Sequence, residues 1–247
     1  FFINERKFLP ELFYLFFSAL FPQCQVLNPV LPAVVFLMLA IIRIMDSYRK
    51  PGVAFNFFDA GVLISIGSLF YANLIWFGLL VIIGIALLRM GSIKEIAISI
   101  LGLVTPYILV TGLYYVFGKD LLNFFSDIKE NLFGNAESQF ISRLTVIVLI
   151  CIGLTLIISI VFLLMQMNTK KIKTRKTFSL LLWGFFISLI LYFALPSVSV
   201  EMICITGIPA SYFLTHYFVF ARKRLLPEIL FSGLFLLILL VQAFHIF

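Results

Sequence analysis

Three consecutive stretches decide the fold: LTVIVLICIGLTLIISIVFLLM (Leu144–Met165), QMNTKKIKTRKT (Gln166–Thr177) and FSLLLWGFFISLILYFAL (Phe178–Leu195). The first and third hold no charged residue. A helix crosses a bilayer with about 20 apolar residues, so each reads as a membrane segment. The middle stretch carries Lys170, Lys171, Lys173, Arg175 and Lys176 and no acid. Short basic loops stay in the cytoplasm, so the three together read as a membrane hairpin with its loop inside.

The rest of the chain repeats this grammar. Hydrophobic residues make up 63% of the 247, charged residues 12%, and the mean hydropathy is +1.16. A soluble domain is about half apolar and a quarter charged, so lipid must solvate much of this surface. The net charge of +7 is not a nucleic-acid signal, because the basic residues sit at segment ends rather than on one patch. They read as topology signals and as contacts for anionic lipid head groups.

Working outward from the hairpin gives an all-α, polytopic transmembrane bundle with about nine membrane segments in a single domain, 1–247. The segments run 8–21, 30–45, 57–70, 72–88, 96–117, 144–165, 178–195, 198–220 and 225–247. Pro22 stops the first. The pair 57–70/72–88 is short, so 57–70 is expected to thin the bilayer, to re-enter, or to be partly buried. Gly102 and Pro106 predict a kink in the fifth. The outer stretch 119–143 contains Leu121, Phe124, Phe125, Ile128 and Leu132 at three- and four-residue spacing, which predicts an amphipathic helix lying in the interface. The chain opens Phe1-Phe2-Ile3-Asn4, which looks like the tail of an earlier helix, so N-terminal helices are expected to precede it.

Counting charge by side fixes the orientation. Fifteen of the 18 Lys and Arg fall on one side, in segments that include 43–51, 168–176 and 221–224; the other side has Lys119, Lys129 and Arg143. The rich side is expected to be the cytoplasm of a bacterial inner membrane, with the N-terminus inside and the C-terminus in the periplasm.

Candidate functional residues are few. Glu11, Asp59, Glu201 and Glu228 lie within about a turn of a segment end, where a carboxylate ordinarily reaches the interface or caps a helix. Asp59 stands out, at the cytoplasmic mouth of the short pair. His216 has no acidic or histidine partner at metal-ligand spacing, so a buried or interfacial ring is the ordinary reading. Residues 206–211 (Thr-Gly-Ile-Pro-Ala-Ser) either break the eighth helix, as at transporter sites, or merely kink it among small residues. Asp120, Asp127, Glu130 and Glu137 make the outer loop acidic; they form a solvated face, or an acid/base or cation pair. No metal motif, nucleotide loop or hydrolase signature occurs, so no metal and no cofactor are expected. Cys24, Cys151 and Cys204 lack metal spacing and read as inert thiols.

One stretch carries a resemblance. It runs Asp59-Ala60-Gly61-Val62-Leu63-Ile64-Ser65-Ile66-Gly67-Ser68-Leu69-Phe70-Tyr71, then an apolar run to Leu88-Arg89, Lys94-Glu95, a run with Gly102 and Pro106, and Tyr114-Tyr115-Val116-Phe117-Gly118. It resembles an uncharacterised family of multi-pass inner-membrane proteins from Bacteroidetes-type bacteria. Over about 57–125 it is also similar in pattern to GT-C glycosyltransferases, which use polyprenyl-phosphate sugars. That family keeps an essential acid in its first external loop, whereas Pro22–Pro29 here has none, so no catalytic residue carries over. The readings in order are a non-catalytic membrane component of a cell-envelope assembly, partnered by lipid and by other membrane proteins; a GT-C-like transferase; and a small transporter centred on 206–211.

Overall fold

The computed structural model of the chain describes residues 8–20, 24–48, 54–89, 93–134, 143–198, 200–221 and 225–246. Arg6, Lys7, Pro22, Arg49, Lys50, Glu137 and the cluster 222–224 lie outside the described residues, as does the end of the outer loop, 135–142.

Among the described residues there are ten α-helices and no strand. They are α1 (Leu9–Leu20), α2 (Val30–Asp46), α3 (Ala54–Phe70), α4 (Gly78–Arg89), α5 (Ile93–Val116), α6 (Leu121–Phe133), α7 (Arg143–Gln166), α8 (Ile172–Ala194), α9 (Met202–Phe220) and α10 (Leu225–Ile246). Short 3-10 segments, Ala72–Phe77 and Met167–Thr169, precede α4 and follow α7.

The expectation of nine spans is not supported. Among the described residues, four helical stretches are long and apolar enough to cross a membrane: Ile93–Val116, Val146–Thr169, Ile172–Ala194 and Met202–Phe220. The helices of 17 residues or fewer fall short for a physical reason. At 1.5 Å per residue, the 17 residues of α3 reach only about 25 Å and the 12 of α4 about 18 Å, against a hydrocarbon core of about 30 Å. The second member of the short pair is also not one α-helix, since it opens as the 3-10 segment Ala72–Phe77.

One further boundary differs from the sequence reading, and one alternative it left open is decided. The basic loop 168–176 is largely helical, because α8 begins at Ile172. No Gly or Pro interrupts 172–178, and Lys and Arg are good helix formers. Lys176 then donates to the carbonyl of Leu87 in the last turn of α4, where a cation is favourable. Residues 206–211 do not break a helix either. α9 runs through Pro209 unbroken, residues 207–211 are buried, and Ser211 returns its hydroxyl to the Ile208 carbonyl at 2.8 Å.

The residues group into two compact units. The first comprises Phe1–Leu27, Ser138–Arg175 and Thr206–Phe247. Its interior is aromatic. Phe13 of α1 is 1% exposed, stacks on Phe218 of α9 at 5.0 Å and meets Phe231 of α10 edge-on at 6.1 Å. Phe162 of α7 meets Tyr217 edge-on at 5.3 Å.

The second unit comprises Asn28–Glu137 and Lys176–Ile205. Its centre is α3, packed between α2 and α5. The contact with α5 is made by small residues. A Cβ on Gly61 would lie 2.6 Å from the Ser99 carbonyl, and one on Gly102 would overlap the Phe58 carbonyl. The buried residues of α5 are Glu95, Ser99, Gly102 and Pro106, one narrow stripe spaced four, three and four. Its other faces expose Leu101, Ile108, Leu109 and Leu113, as a helix bathed in lipid would.

Cys151 is a free thiol.

Candidate functional site: a polar cavity in the second unit

The site begins where α3 ends. Ser68 donates to the Ser65 carbonyl at 2.7 Å, so the Tyr107 hydroxyl of α5, also 2.7 Å away, is the donor to Ser68. This couples the end of α3 to the middle of α5. The chain then turns at Tyr71, in extended conformation, into the 3-10 segment. The turn is closed by the Leu74 amide donating to the Tyr71 carbonyl at 2.9 Å.

Asn73 follows, 2% exposed, and its amide donates to the Ser197 carbonyl at 3.5 Å. Ser197 lies in the connection from α8 to α9. Its hydroxyl is 2.6 Å from the Leu132 carbonyl and 3.4 Å from Asn73 Oδ1, so its single proton goes to Leu132. Ser197 thereby ties the end of α6 to the 3-10 segment.

α6 closes the site. Asp120 caps it by accepting from the Leu122 amide at 2.9 Å. Phe124, Asp127, Ile128 and Asn131, at helical spacing, line the cavity. The Phe124 ring packs on Tyr114 of α5 at 4.7 Å, and Lys119 lies 5.4 Å from the centre of the Tyr114 ring.

These elements enclose a cavity of about 540 Å³. Its polar lining comprises Asn28, Ser68, Tyr71, Asn73, Asn131 and Ser197, with Tyr107 and Tyr114 adding ring faces and hydroxyls. Asp127 and Glu201 supply its charge; no Lys, Arg or His is among the described lining residues. The Tyr71 hydroxyl is buried and finds no well-formed hydrogen bond. Burial pushes this phenol up to about 12; the nearby Asn73 side chain opposes the shift and the Glu201 carboxylate adds to it. Tyr71 is therefore a protonated donor at neutral pH.

Of the candidates from sequence, Asp127 and Glu201 meet at this cavity. Asp120 serves as a helix cap. Glu130 is exposed on α6 and does not line the cavity. Asp59 is an interior residue of α3 rather than its cap, and pairs with Arg43 of α2 at 3.8 Å, both side chains about half exposed. His216 belongs to the first unit, 2% exposed, with its ring 4.9 Å from Phe220 and 6.0 Å from Phe162. Among the described residues, no three His, Cys, Asp or Glu cluster to hold a metal. Sequence reasoning missed Ser68, Tyr71, Asn73, Tyr107 and Ser197. The available signal was weak: all but Tyr107 lie at or near the end of an apolar run, on the side poor in Lys and Arg.

The fold and cavity describe an all-helical protein in which, among the described residues, four helices are long and apolar enough to cross a membrane. The chain belongs to a family of unknown function, DUF6427, whose sequence model matches residues 2–247. No curated protein and no solved structure matches it.

Proposed function

We propose that the chain is a multi-pass protein of a bacterial inner membrane whose basic segments stay in the cytoplasm. Its cavity opens to the periplasm and binds a polar ligand, as a non-catalytic membrane component of a cell-envelope assembly. One observation carries this. The cavity is lined by 28–29, 68–73, Tyr107, Tyr114, α6, Ser197 and Glu201. All but Tyr107, which sits mid-way along α5, lie on the side that the charge count leaves poor in Lys and Arg, although that count takes no account of the cavity. On this reading α1 to α4 complete their passes with the help of protein neighbours and local thinning, and Lys170, Lys171 and Lys173 meet anionic lipid head groups.

A second reading, a GT-C-like transferase, is favoured by the two carboxylates Asp127 and Glu201 at one cavity. It ranks lower because a polyprenyl phosphate needs cations around it, and the described wall has none. The test is side-specific labelling in a Cys151→Ser background. Asn131→Cys is expected to react with a membrane-impermeant maleimide in intact spheroplasts, and Lys173→Cys only after lysis. The opposite pattern overturns the orientation.

A further inference from the structure

Resting on the cavity being a ligand site, we infer that its ligand carries a positively charged amine beside hydroxyl groups, as an amino sugar or amino alcohol does. The charge balance points there first. Asp127 and Glu201 face the cavity without a cation among the described lining residues, and Lys119 is placed over the Tyr114 ring instead. Carboxylates facing a cavity attract a cation and repel a phosphate. The aromatic faces of Tyr71, Tyr107, Tyr114 and Phe124 are further acceptors for an ammonium group.

The neutral lining asks for hydroxyls. Asn73 is almost fully buried, yet its amide reaches the Ser197 carbonyl only at 3.5 Å, and its Oδ1 lies 3.4 Å from a Ser197 hydroxyl whose proton goes to Leu132. The Tyr71 hydroxyl is a buried donor without a well-formed acceptor. Buried amides and phenols in this state gain most from a ligand that both donates and accepts. Size agrees: about 540 Å³ suits a small organic molecule rather than a bare metal ion.

Three probes that share one ring separate the possibilities: glucosamine at mildly acidic pH, glucose, and glucose 6-phosphate. They are titrated calorimetrically into the full chain in detergent, with thermal unfolding alongside. Glucosamine is expected to bind saturably and to raise the Tm. Glucose should bind about tenfold more weakly and glucose 6-phosphate more weakly still, since one charge-assisted hydrogen bond is lost or opposed. Glu201→Gln and Asp127→Asn should each weaken glucosamine about tenfold and glucose by less. Equal binding of glucose and glucosamine, preference for the phosphate, unaltered glucosamine binding in both variants, or no saturable glucosamine binding to folded protein overturns the inference. Because detergent removes sidedness, these outcomes are independent of the labelling result. Loss of glucose and glucosamine binding together would remove the ligand site itself.

Discussion

Tyr71 shows what single residues contribute and how little of it the sequence announces. It closes the turn after α3 and buries its hydroxyl beside Asn73 and Glu201. A phenol whose ionisation is raised in the folded chain stabilises fully below its ordinary value near 10. That contribution is lost as pH climbs from there through about 12. The difference in tyrosinate absorbance between wild type and Tyr71→Phe is accordingly expected to rise near pH 12. A difference that rises near pH 10 would mean that the hydroxyl is solvated. Asp127 and Glu201 were legible because carboxylates are scarce in so apolar a chain. Tyr71, Asn73 and Ser197 were not, because a Tyr, Asn or Ser at the end of a membrane segment is ordinary. Their meaning comes from a meeting of positions 73 and 197, 124 residues apart, which no local pattern encodes.

At the level of elements, period and punctuation located the helices, while packing decided their ends and their neighbours. The amphipathic spacing in 119–143 gave α6, and the apolar run after Arg143 gave α7, each nearly to the residue. α8 began six residues early because nothing in Ile172–Thr177 stops a helix. The glycines of α5 make the same point. Gly102 was legible as part of a kink with Pro106, but not as the place where α3 lies against the backbone. Gly102→Val should lower thermal stability in detergent by about 1–3 kcal/mol, since the obstacle is the Phe58 carbonyl and cannot rotate away. Gly112 stands in the same helix with nothing within 4 Å of a Cβ. Gly112→Ala is therefore expected to be neutral or stabilising by up to about 1 kcal/mol, through helix propensity alone. Equal stability changes in the two variants would show that close approach at Gly102 is not what limits α5.

At the scale of the whole molecule, composition made lipid the solvent for much of the surface, and the four long apolar helices agree with that. The number of passes was less legible, because hydropathy measures how apolar a run is, not whether its helix reaches both faces. Charge carries the remaining information, and it can be moved. Lys170, Lys171, Lys173 and Arg175 belong to the first unit, where Lys170 lies 3.7 Å from the centre of the Phe220 ring. Lys176 is different, since it donates to the Leu87 carbonyl and so has a structural duty. Replacing the first four by Gln and keeping Lys176 removes topological charge while sparing that contact. If retention of these cations sets the orientation, part of the population should insert with this hairpin reversed. The measurement is the fraction of Asn131→Cys labelled by the impermeant maleimide in spheroplasts, which should fall; adding four Lys to the segment after Phe220 should restore it. Unchanged labelling of a correctly folded variant would mean that the hairpin's charge does not decide which side the cavity faces.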